Sequence, residues 1–277
     1  MKLAMVQDKI VPLEKLNSAY LDRGTFFGDG VYEVVRSYNG RIFALNEHLQ
    51  RLSNGLKAID ITGVNIEEVR DRVIKAFETA AIENAGIYFH ITRGSALREH
   101  NCDNSIRPNF FLTITPLADQ KIIKQNGIKV ATHPDWRWKR CDIKSLNLLP
   151  NVLAKQAAAK KGCDEAILVK DDGAITEGAS SAFFAVIDGK LRTTPQSTDI
   201  LPSITRKYVL KAARNIGLQV LHESVTPAEA AGADELFIAV TTKDIVAVVK
   251  LDDTEIGDGG YGVYTKKIQE QFRLFTS

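Results

Sequence analysis

The sequence predicts a β-hairpin near the start of the chain, and this pattern constrains the fold strongly. The strand-like run V-Y-E-V-V-R-S-Y at 31–38 is followed by Asn39-Gly40 and then by R-I-F at 41–43. Asn-Gly favours a two-residue hairpin turn because both residues tolerate positive φ. The fold must therefore accommodate an antiparallel strand pair.

Helices and further strands surround this hairpin. Asn46 is a candidate N-cap for a helix at 46–59, and the apolar spacing at 66–77 is typical of a second helix. Strands are predicted at 2–7, 86–92 and 108–115. The polar segment between the last two, 94–107, is expected to form a mobile loop over a site.

A segment with Pro and Gly at its ends, 116–127, is a candidate linker, and strands are more frequent after it. The predicted strands are 128–133, 165–170, 181–187, 219–225, 234–240 and 245–250, and the predicted helices are 151–161, 203–216, 261–275 and a short one with a capping box at 226–229. The mixed order predicts an α/β (α+β mixed) fold with a partly antiparallel sheet.

Charge and cysteine content argue against several function classes. The chain has 36 Lys and Arg against 34 Asp and Glu, without a basic stripe, so nucleic acid is not an expected partner. Cys102, Cys141 and Cys163 have no metal-ligand spacing, which indicates free thiols and no metal site. The first apolar stretch is too short for a signal peptide or a membrane span. We expect a cytoplasmic protein without membrane contact.

Two motifs carry groups that suit pyridoxal 5'-phosphate (PLP). Lys144 lies among apolar residues in C-D-I-K-S-L-N-L-L, and Glu177 precedes a small-residue turn in T-E-G-A-S-S. PLP chemistry needs an amine that forms a Schiff base and an acid that pairs with the pyridinium nitrogen. A single lysine is usually a solvated surface residue, so the interpretation depends on the surrounding motifs.

These motifs resemble those of the fold-type IV (class IV) aminotransferases, and among them the bacterial D-amino-acid (D-alanine) aminotransferases. The similar segments are D-R-G-T-F-F-G-D-G-V-Y-E-V-V (22–35), N-E-H-L-Q-R-L (46–52), I-Y-F-H-I-T-R-G-S-A-L-R-E-H (87–100), W-K-R-C-D-I-K-S-L-N-L-L (138–149), T-E-G-A-S-S (176–181), I-T-R (204–206) and D-E-L-F-I-A-V-T-T (234–242). The resemblance implies a homodimer whose subunits have a smaller N-terminal domain (1–117), a larger C-terminal domain (118–277) and PLP in the cleft between them.

The resemblance also implies roles for the cofactor-site residues. Lys144 would be the Schiff-base lysine and proton shuttle, and Glu177 would face the pyridine nitrogen. The groups expected to hold the phosphate are Arg51, Ile204, Thr205 and Thr241, in keeping with the anion affinity of a helix N-terminus. Arg137 and Arg140 could add positive charge near the cofactor. The sequence departs from the family at Ala182, where Asn is usual.

A pair of residues in the 94–107 loop suggests how a substrate carboxylate is bound. Arg98 and His100 lie two positions apart, which places them on one side of an extended segment. With Tyr32, they correspond to the carboxylate trap of D-amino-acid aminotransferases, in which the Arg and His come from the neighbouring subunit. Branched-chain aminotransferases place their carboxylate-binding groups differently, so R-x-H is the discriminating feature.

The sequence therefore predicts PLP-dependent transamination between D-amino acids (D-alanine, D-glutamate) and 2-oxo acids (pyruvate, 2-oxoglutarate). Alternatives with the same fold are a branched-chain L-aminotransferase, an (R)-amine transaminase and aminodeoxychorismate lyase. An alternative of another class is a non-catalytic protein that binds PLP or a metabolite. Retention of Lys144 and Glu177 argues against that last possibility.

Overall fold

A computed structural model describes residues 2–102, 105–118 and 120–277. Within these residues the strands form three sheets, one of two strands, one of four and one of nine. We call the four-stranded sheet the N-terminal sheet and the nine-stranded sheet the C-terminal sheet. In this described part of the chain, no helix is long and apolar enough to cross a membrane.

The first part of the chain forms the two smaller sheets. Its strands are β1 (Leu3–Val6), β2 (Lys9–Pro12), β3 (Gly30–Tyr38), β4 (Arg41–Ile42), β5 (Ala85–Thr92) and β6 (Asn109–Pro116), and its α-helices are α1 (Arg23–Phe27), α2 (Leu45–Ala58) and α3 (Ile66–Ala80). Short 3-10 helices lie at Leu13–Lys15 and Ser18–Leu21. The N-terminal sheet is antiparallel in the order β4-β3-β5-β6.

The predicted hairpin is confirmed as the β3–β4 pair. Asn39 and Gly40 have φ of 48° and 78°, and Tyr38 pairs with Arg41. The predicted cap at Asn46 is wrong, because the left-handed conformation of Ala44 (φ 53°) lets α2 begin earlier, at Leu45. The Asn46 side chain accepts a hydrogen bond from Arg70 instead.

The side chains of β3 alternate between two environments, as strand geometry requires. One set is buried toward α2, α3 and β5, and comprises Val31, Glu33, Val35 and Ser37. The other set is half-buried on the opposite face, and comprises Tyr32, Val34 and Arg36. The strand thus faces a packed core on one side and the rest of the molecule on the other.

The second part of the chain forms the C-terminal sheet and its covering helices. The strands are β7 (Ile128–Pro134), β8 (Glu165–Val169), β9 (Ile175–Gly178), β10 (Ala182–Ile187), β11 (Lys190–Thr193), β12 (Val220–His222), β13 (Glu235–Val240), β14 (Asp244–Leu251) and β15 (Thr254–Glu255). The helices are α4 (Lys121–Asn126), α5 (Leu149–Lys160), α6 (Ile204–Asn215), α7 (Pro227–Ala231) and α8 (Val263–Thr276).

The C-terminal sheet mixes parallel and antiparallel pairs in the order β12-β11-β10-β13-β14-β7-β8-β9, with β15 on β14. Helices α6 and α8 pack on one face over the stacked rings of Phe184 and Phe237, whose centroids are 4.8 Å apart. Such an aromatic pair contributes about 0.5–1.5 kcal/mol beyond area burial. The predicted mixed α/β fold is confirmed.

Some predicted connections differ in the structure. The predicted linker 116–127 contains α4, and its residue 119 lies outside the described residues. Residues 103 and 104 of the predicted 94–107 loop also lie outside them. The predicted strand 219–225 is shorter, at Val220–His222, and the sequence interpretation missed β9 and β11.

Candidate active site

A cavity of about 410 Å³ lies where residues of both larger sheets meet. Its volume is in the range of small-molecule sites. The lining includes Tyr32 and Val34 of β3, residues of the 141–148 segment, the 177–182 turn, Leu201 and Ser203 before α6, and the end of β13. Most of the cofactor-site residues predicted from the sequence are therefore brought to one place.

Lys144 reaches the cavity because its segment pairs with the beginning of β3. Tyr32 N donates to Lys144 O over 3.0 Å, and Leu146 N donates to Gly30 O over 3.0 Å. This pairing places Lys144 Nζ 4.0 Å from the centre of the Tyr32 ring. An ammonium group at that distance is attracted to the ring face. The Lys144 amine therefore lies against the Tyr32 ring in the lining of the cavity.

Glu177 lies on β9 and is only 6% exposed. Its Oε1 accepts hydrogen bonds from Arg137 Nη1 (2.5 Å) and from Leu201 N (3.1 Å). Burial raises the pKa of Glu177 above the usual glutamate value, although the Arg137 charge opposes this shift. The carboxylate is thus fixed in the cavity wall by one cation and one backbone amide.

The two arginines upstream of Lys144 have different surroundings. Arg137 also bonds to Asp135 through Nε (2.8 Å) and Nη2 (2.7 Å), so a buried ion-pair network supports Glu177. Arg140 is exposed and pairs with Asp142, and it does not line the cavity. Only Arg137 therefore matches the expectation of positive charge at the site.

Arg51 of α2 also lines the cavity, next to the loop before α6. It donates to Glu33 through Nε (2.8 Å) and Nη2 (2.6 Å), and to Pro202 O through Nη1 (3.0 Å). Burial alone would raise the pKa of Glu33, but the Arg51 charge lowers it to about 2. His48 also bonds to Glu33, at 2.7 Å. This buried ion pair fixes the guanidinium at the start of α6.

The first turn of α6 supplies backbone donors beside Arg51. Ser203 is the N-cap and accepts from Arg206 N, while Ile204 and Thr205 are the first residues of the helix. N–H groups at these positions have no acceptor within their own helix and favour an anion. Thr241, at the end of β13, lines the same cavity.

The predicted carboxylate-binding residues of the 94–107 loop lie elsewhere. Arg98 and His100 are exposed and do not line the main cavity. The Arg98 Cζ atom lies 5.1 Å from the centre of the Phe27 ring, and the His100 ring lies 5.3 Å from it. His100 lines a smaller neighbouring cavity of about 270 Å³, which shares Trp138, Ser145 and Asn147 with the main one.

The sequence analysis missed that Glu33 and His48 help to position Arg51, although the sequence contains a signal for Glu33. Glu33 alternates with Val31 and Val35 on the buried face of β3, and a charge at a core position requires a partner. Asp135 carried no comparable signal. At Ala182, which is buried at the cavity wall, the methyl group offers no polar contact where the family usually has an amide.

Comparison with known proteins identifies the family. The model of the family described as "Amino-transferase class IV" matches residues 30–251. The chain belongs to this family. The D-alanine aminotransferase of Staphylococcus haemolyticus is 36% identical to this aminotransferase, covering 99% of this chain and 98% of the relative. The D-alanine aminotransferase of Bacillus licheniformis is 39% identical, and the match covers 90% of this chain and 88% of that relative. The solved branched-chain amino acid aminotransferase of Escherichia coli has a TM-score of 0.86 at 26% identity, covering 97% and 93%.

Class IV aminotransferases use PLP, and the residues of this cavity fit that cofactor. Arg51, the α6 N-terminus and Thr241 offer donors to a phosphate, Lys144 offers an amine, and Glu177 offers a carboxylate. Bound PLP supplies an electron sink for the electrons left when a substrate Cα loses its proton. The predictions of family, fold, enzyme class and cofactor are confirmed.

Proposed function

We propose that this aminotransferase transfers amino groups between D-amino acids and 2-oxo acids. D-alanine with pyruvate and D-glutamate with 2-oxoglutarate are the expected couples. The proposal is carried by the position of Lys144 Nζ, 4.0 Å from the Tyr32 ring in a cavity that also contains Glu177. Relatives named D-alanine aminotransferases, alike over nearly the whole chain, support the choice of substrate.

The proposed roles follow from the chemistry of each group. Lys144 removes the proton from the substrate Cα and returns it at the cofactor carbon C4′, acting first as a base and then as an acid. Glu177 keeps the pyridine nitrogen protonated, with Arg137 fixing its orientation. The phosphate would be bound by Arg51 and Thr241, which line the cavity, and by Ile204 and Thr205, which begin α6 next to the lining residue Ser203.

We further propose that the substrate carboxylate is bound by Tyr32 together with Arg98 and His100 of the neighbouring subunit in a homodimer. The exposure of Arg98 and His100, and their absence from the lining of the main cavity in their own chain, support this arrangement.

We also propose that the chain has two domains, 1–117 and 118–277, and that the protein is cytoplasmic. The boundary falls between β6 and α4, and Cys102, Cys141 and Cys163 are free thiols, as expected in a reducing compartment.

A branched-chain L-aminotransferase is the second candidate, because the E. coli enzyme of that name shares the fold at a TM-score of 0.86. Its sequence identity, 26%, is lower than the 36% and 39% of the D-alanine aminotransferases. The fold is common to both activities, so only substrate preference separates them.

The deciding experiment supplies PLP-loaded enzyme with single enantiomers. D-alanine should change the visible absorbance of the bound cofactor and yield pyruvate when 2-oxoglutarate is present, while L-alanine should leave both unchanged. Lys144→Ala provides the control for non-enzymatic exchange. Faster reaction with L-leucine or L-valine than with any D-amino acid would instead assign the enzyme to the branched-chain activity.

A further inference from the structure

Arg23 links the D-R-G segment to the loop that carries Arg98 and His100. It is only 4% exposed, and its Nη1 and Nη2 donate to the carbonyl oxygens of Glu99 (2.5 Å) and His100 (3.1 Å). Its Nε donates to Asp29 Oδ2 over 2.8 Å. One buried guanidinium therefore fixes two consecutive carbonyl groups of a loop whose own side chains are exposed.

The Phe27 ring is a second contact between the same segments. The Cζ atom of Arg23 lies 4.8 Å from the ring centre, and that of Arg98 lies 5.1 Å from it. The His100 ring lies 5.3 Å away. Contacts of cations with an aromatic ring are attractive. Phe27 thus contacts the side chains of Arg98 and His100 as well as that of Arg23.

Asp29 supplies the counter-charge for Arg23 and for a second arginine. Arg93 donates to Asp29 through Nε (2.8 Å) and Nη2 (3.1 Å), and also to the carbonyl groups of Ile59 and Asp60. Burial alone would raise the pKa of Asp29, but the hydrogen bonds from Arg93 and Arg23 lower it below the usual value. Two arginines thus share one carboxylate, and only Arg23 continues to the loop at 99–100.

We propose that Arg23 is a positioning residue for substrate binding, which holds the backbone at Glu99 and His100 so that Arg98 and His100 are in place before the substrate arrives. This inference rests on the proposed D-amino-acid aminotransferase function. A loop that is ordered in advance loses less conformational entropy when it binds a carboxylate, and a preorganised site gains affinity accordingly. Arg23 and the loop that it holds belong to the same chain. This holds whether the loop contributes to the cavity of its own subunit or to that of the partner subunit.

The test is Arg23→Lys in the PLP-loaded enzyme. Lysine keeps the charge, but a single ammonium cannot reach two carbonyls and a carboxylate in the directions that the planar guanidinium serves. We expect KM for D-alanine to rise on the order of tenfold, which corresponds to the loss of one hydrogen bond, while kcat and the Kd for PLP stay near wild type. Hydrogen–deuterium exchange of the 96–102 peptide should become faster.

Arg93→Lys is the matched control, because it weakens the same Asp29 network without touching the carbonyls of Glu99 and His100. Its KM for D-alanine should stay near wild type even if its Tm falls as far as that of Arg23→Lys. Equal KM values for the two variants, or a change in kcat or in the Kd for PLP as large as the change in KM, would overturn the positioning role.

Two further variants make every outcome decisive. If Arg23→Lys does not fold, Phe27→Leu removes the shared ring contact without changing charge, and a severalfold rise in KM is expected; an unchanged KM overturns the inference. Arg98→Ala separates this inference from the proposed function. A raised KM in Arg98→Ala with wild-type KM in Arg23→Lys defeats only the role of Arg23, whereas absence of D-alanine turnover in the wild type defeats both.

Discussion

Lys144 and Tyr32 are joined both through the backbone and through their side chains. Tyr32 N donates to Lys144 O over 3.0 Å, and Lys144 Nζ lies 4.0 Å from the centre of the Tyr32 ring. The Lys144 amine is therefore placed by β3 of the N-terminal sheet, although its own segment belongs to the second part of the chain.

Removing the amine tests the central assignment. Lys144→Ala should lower transamination by at least ~10³-fold, because the nucleophile and the proton carrier are lost together. The variant should also lose the visible absorbance that comes from covalently held cofactor. Turnover close to wild type, measured without added amines and with far-ultraviolet circular dichroism confirming the fold, would exclude Lys144 as the essential base.

Neutralising Glu177 tests the role of its charge. Glu177→Gln keeps the shape of the side chain, so the cofactor should still bind, but removal of the Cα proton should slow by about a hundredfold because an electrostatic stabiliser is lost. Stopped-flow single turnover with D-alanine measures this step. Asp135→Asn is the matched control, since it weakens the Arg137 network without lining the cavity. An equal effect in both variants would reduce Glu177 to a structural residue.

Arg98→Ala tests the carboxylate contact. A charge-assisted contact contributes roughly 1.5–3 kcal/mol, so KM for D-alanine should rise about ten- to a hundredfold. Amines without a carboxylate should be affected much less. Arg140→Ala, which removes another exposed arginine, should change neither value. Unaltered D-alanine kinetics in Arg98→Ala would argue against the D-amino-acid assignment and leave the aminotransferase assignment intact.

Mixed dimers test whether the loop acts on the partner's cavity. When Lys144→Ala and Arg98→Ala subunits are mixed and allowed to exchange, a loop acting across the interface restores one complete site in each hybrid. About a quarter of all sites should then be active in a randomly mixed, symmetric dimer population. No recovery of D-alanine activity, with hybrid formation verified by native mass spectrometry, would mean that the loop serves its own chain.

The Glu33–Arg51 ion pair makes the free energy of unfolding depend on pH in the acidic range. Burial disfavours the Glu33 charge, but Arg51 lowers the pKa of Glu33 from 4.5 to about 2. The folded-state pKa is depressed, so this contribution is present above pH 4.5 and is lost as the pH falls toward 2. It is on the order of 3 kcal/mol. Urea unfolding across this range should show a smaller pH slope for Glu33→Gln than for wild type. The pKa of Glu229 is also lowered to about 2, but this carboxylate is exposed and its interactions are screened by solvent, so Glu229→Gln should change the slope less than Glu33→Gln does.

Local signals account for what the sequence predicted correctly. The hairpin at Asn39-Gly40 depends on two neighbouring residues with positive φ, and the capping box at Thr226 and Glu229 depends on residues three apart. The cap at Asn46 was wrong because the conformation of Ala44, which starts α2 earlier, left no trace in its residue type. Short β9 was missed because four residues carry too little periodicity.

Long-range pairing explains what the sequence could not show at the site. Arg137 and Glu177 are forty positions apart, and their contact exists because the loop after β7 returns to β9. The hydrogen bonds from Arg23 to the carbonyls of Glu99 and His100 join residues that are even farther apart in sequence, by 76 and 77 positions. Of the cofactor residues that the resemblance predicts, Arg51, Lys144, Glu177 and Thr241 line one cavity, but the residues that orient them became visible only in the folded chain.

The alternation along β3 limits how this enzyme can be altered. Tyr32 and Val34 line the cavity and Arg36 Nη1 donates to Thr242 O over 3.1 Å, while Glu33 faces the other way to hold Arg51. A single inserted or deleted residue within this strand would exchange the two faces. The aromatic neighbour of the amine would then point into the helical core, and the partner of Arg51 would point into the cavity. Substitutions on β3 can therefore change the cavity lining while both faces stay in place, but a change in the length of the strand would disrupt both faces together.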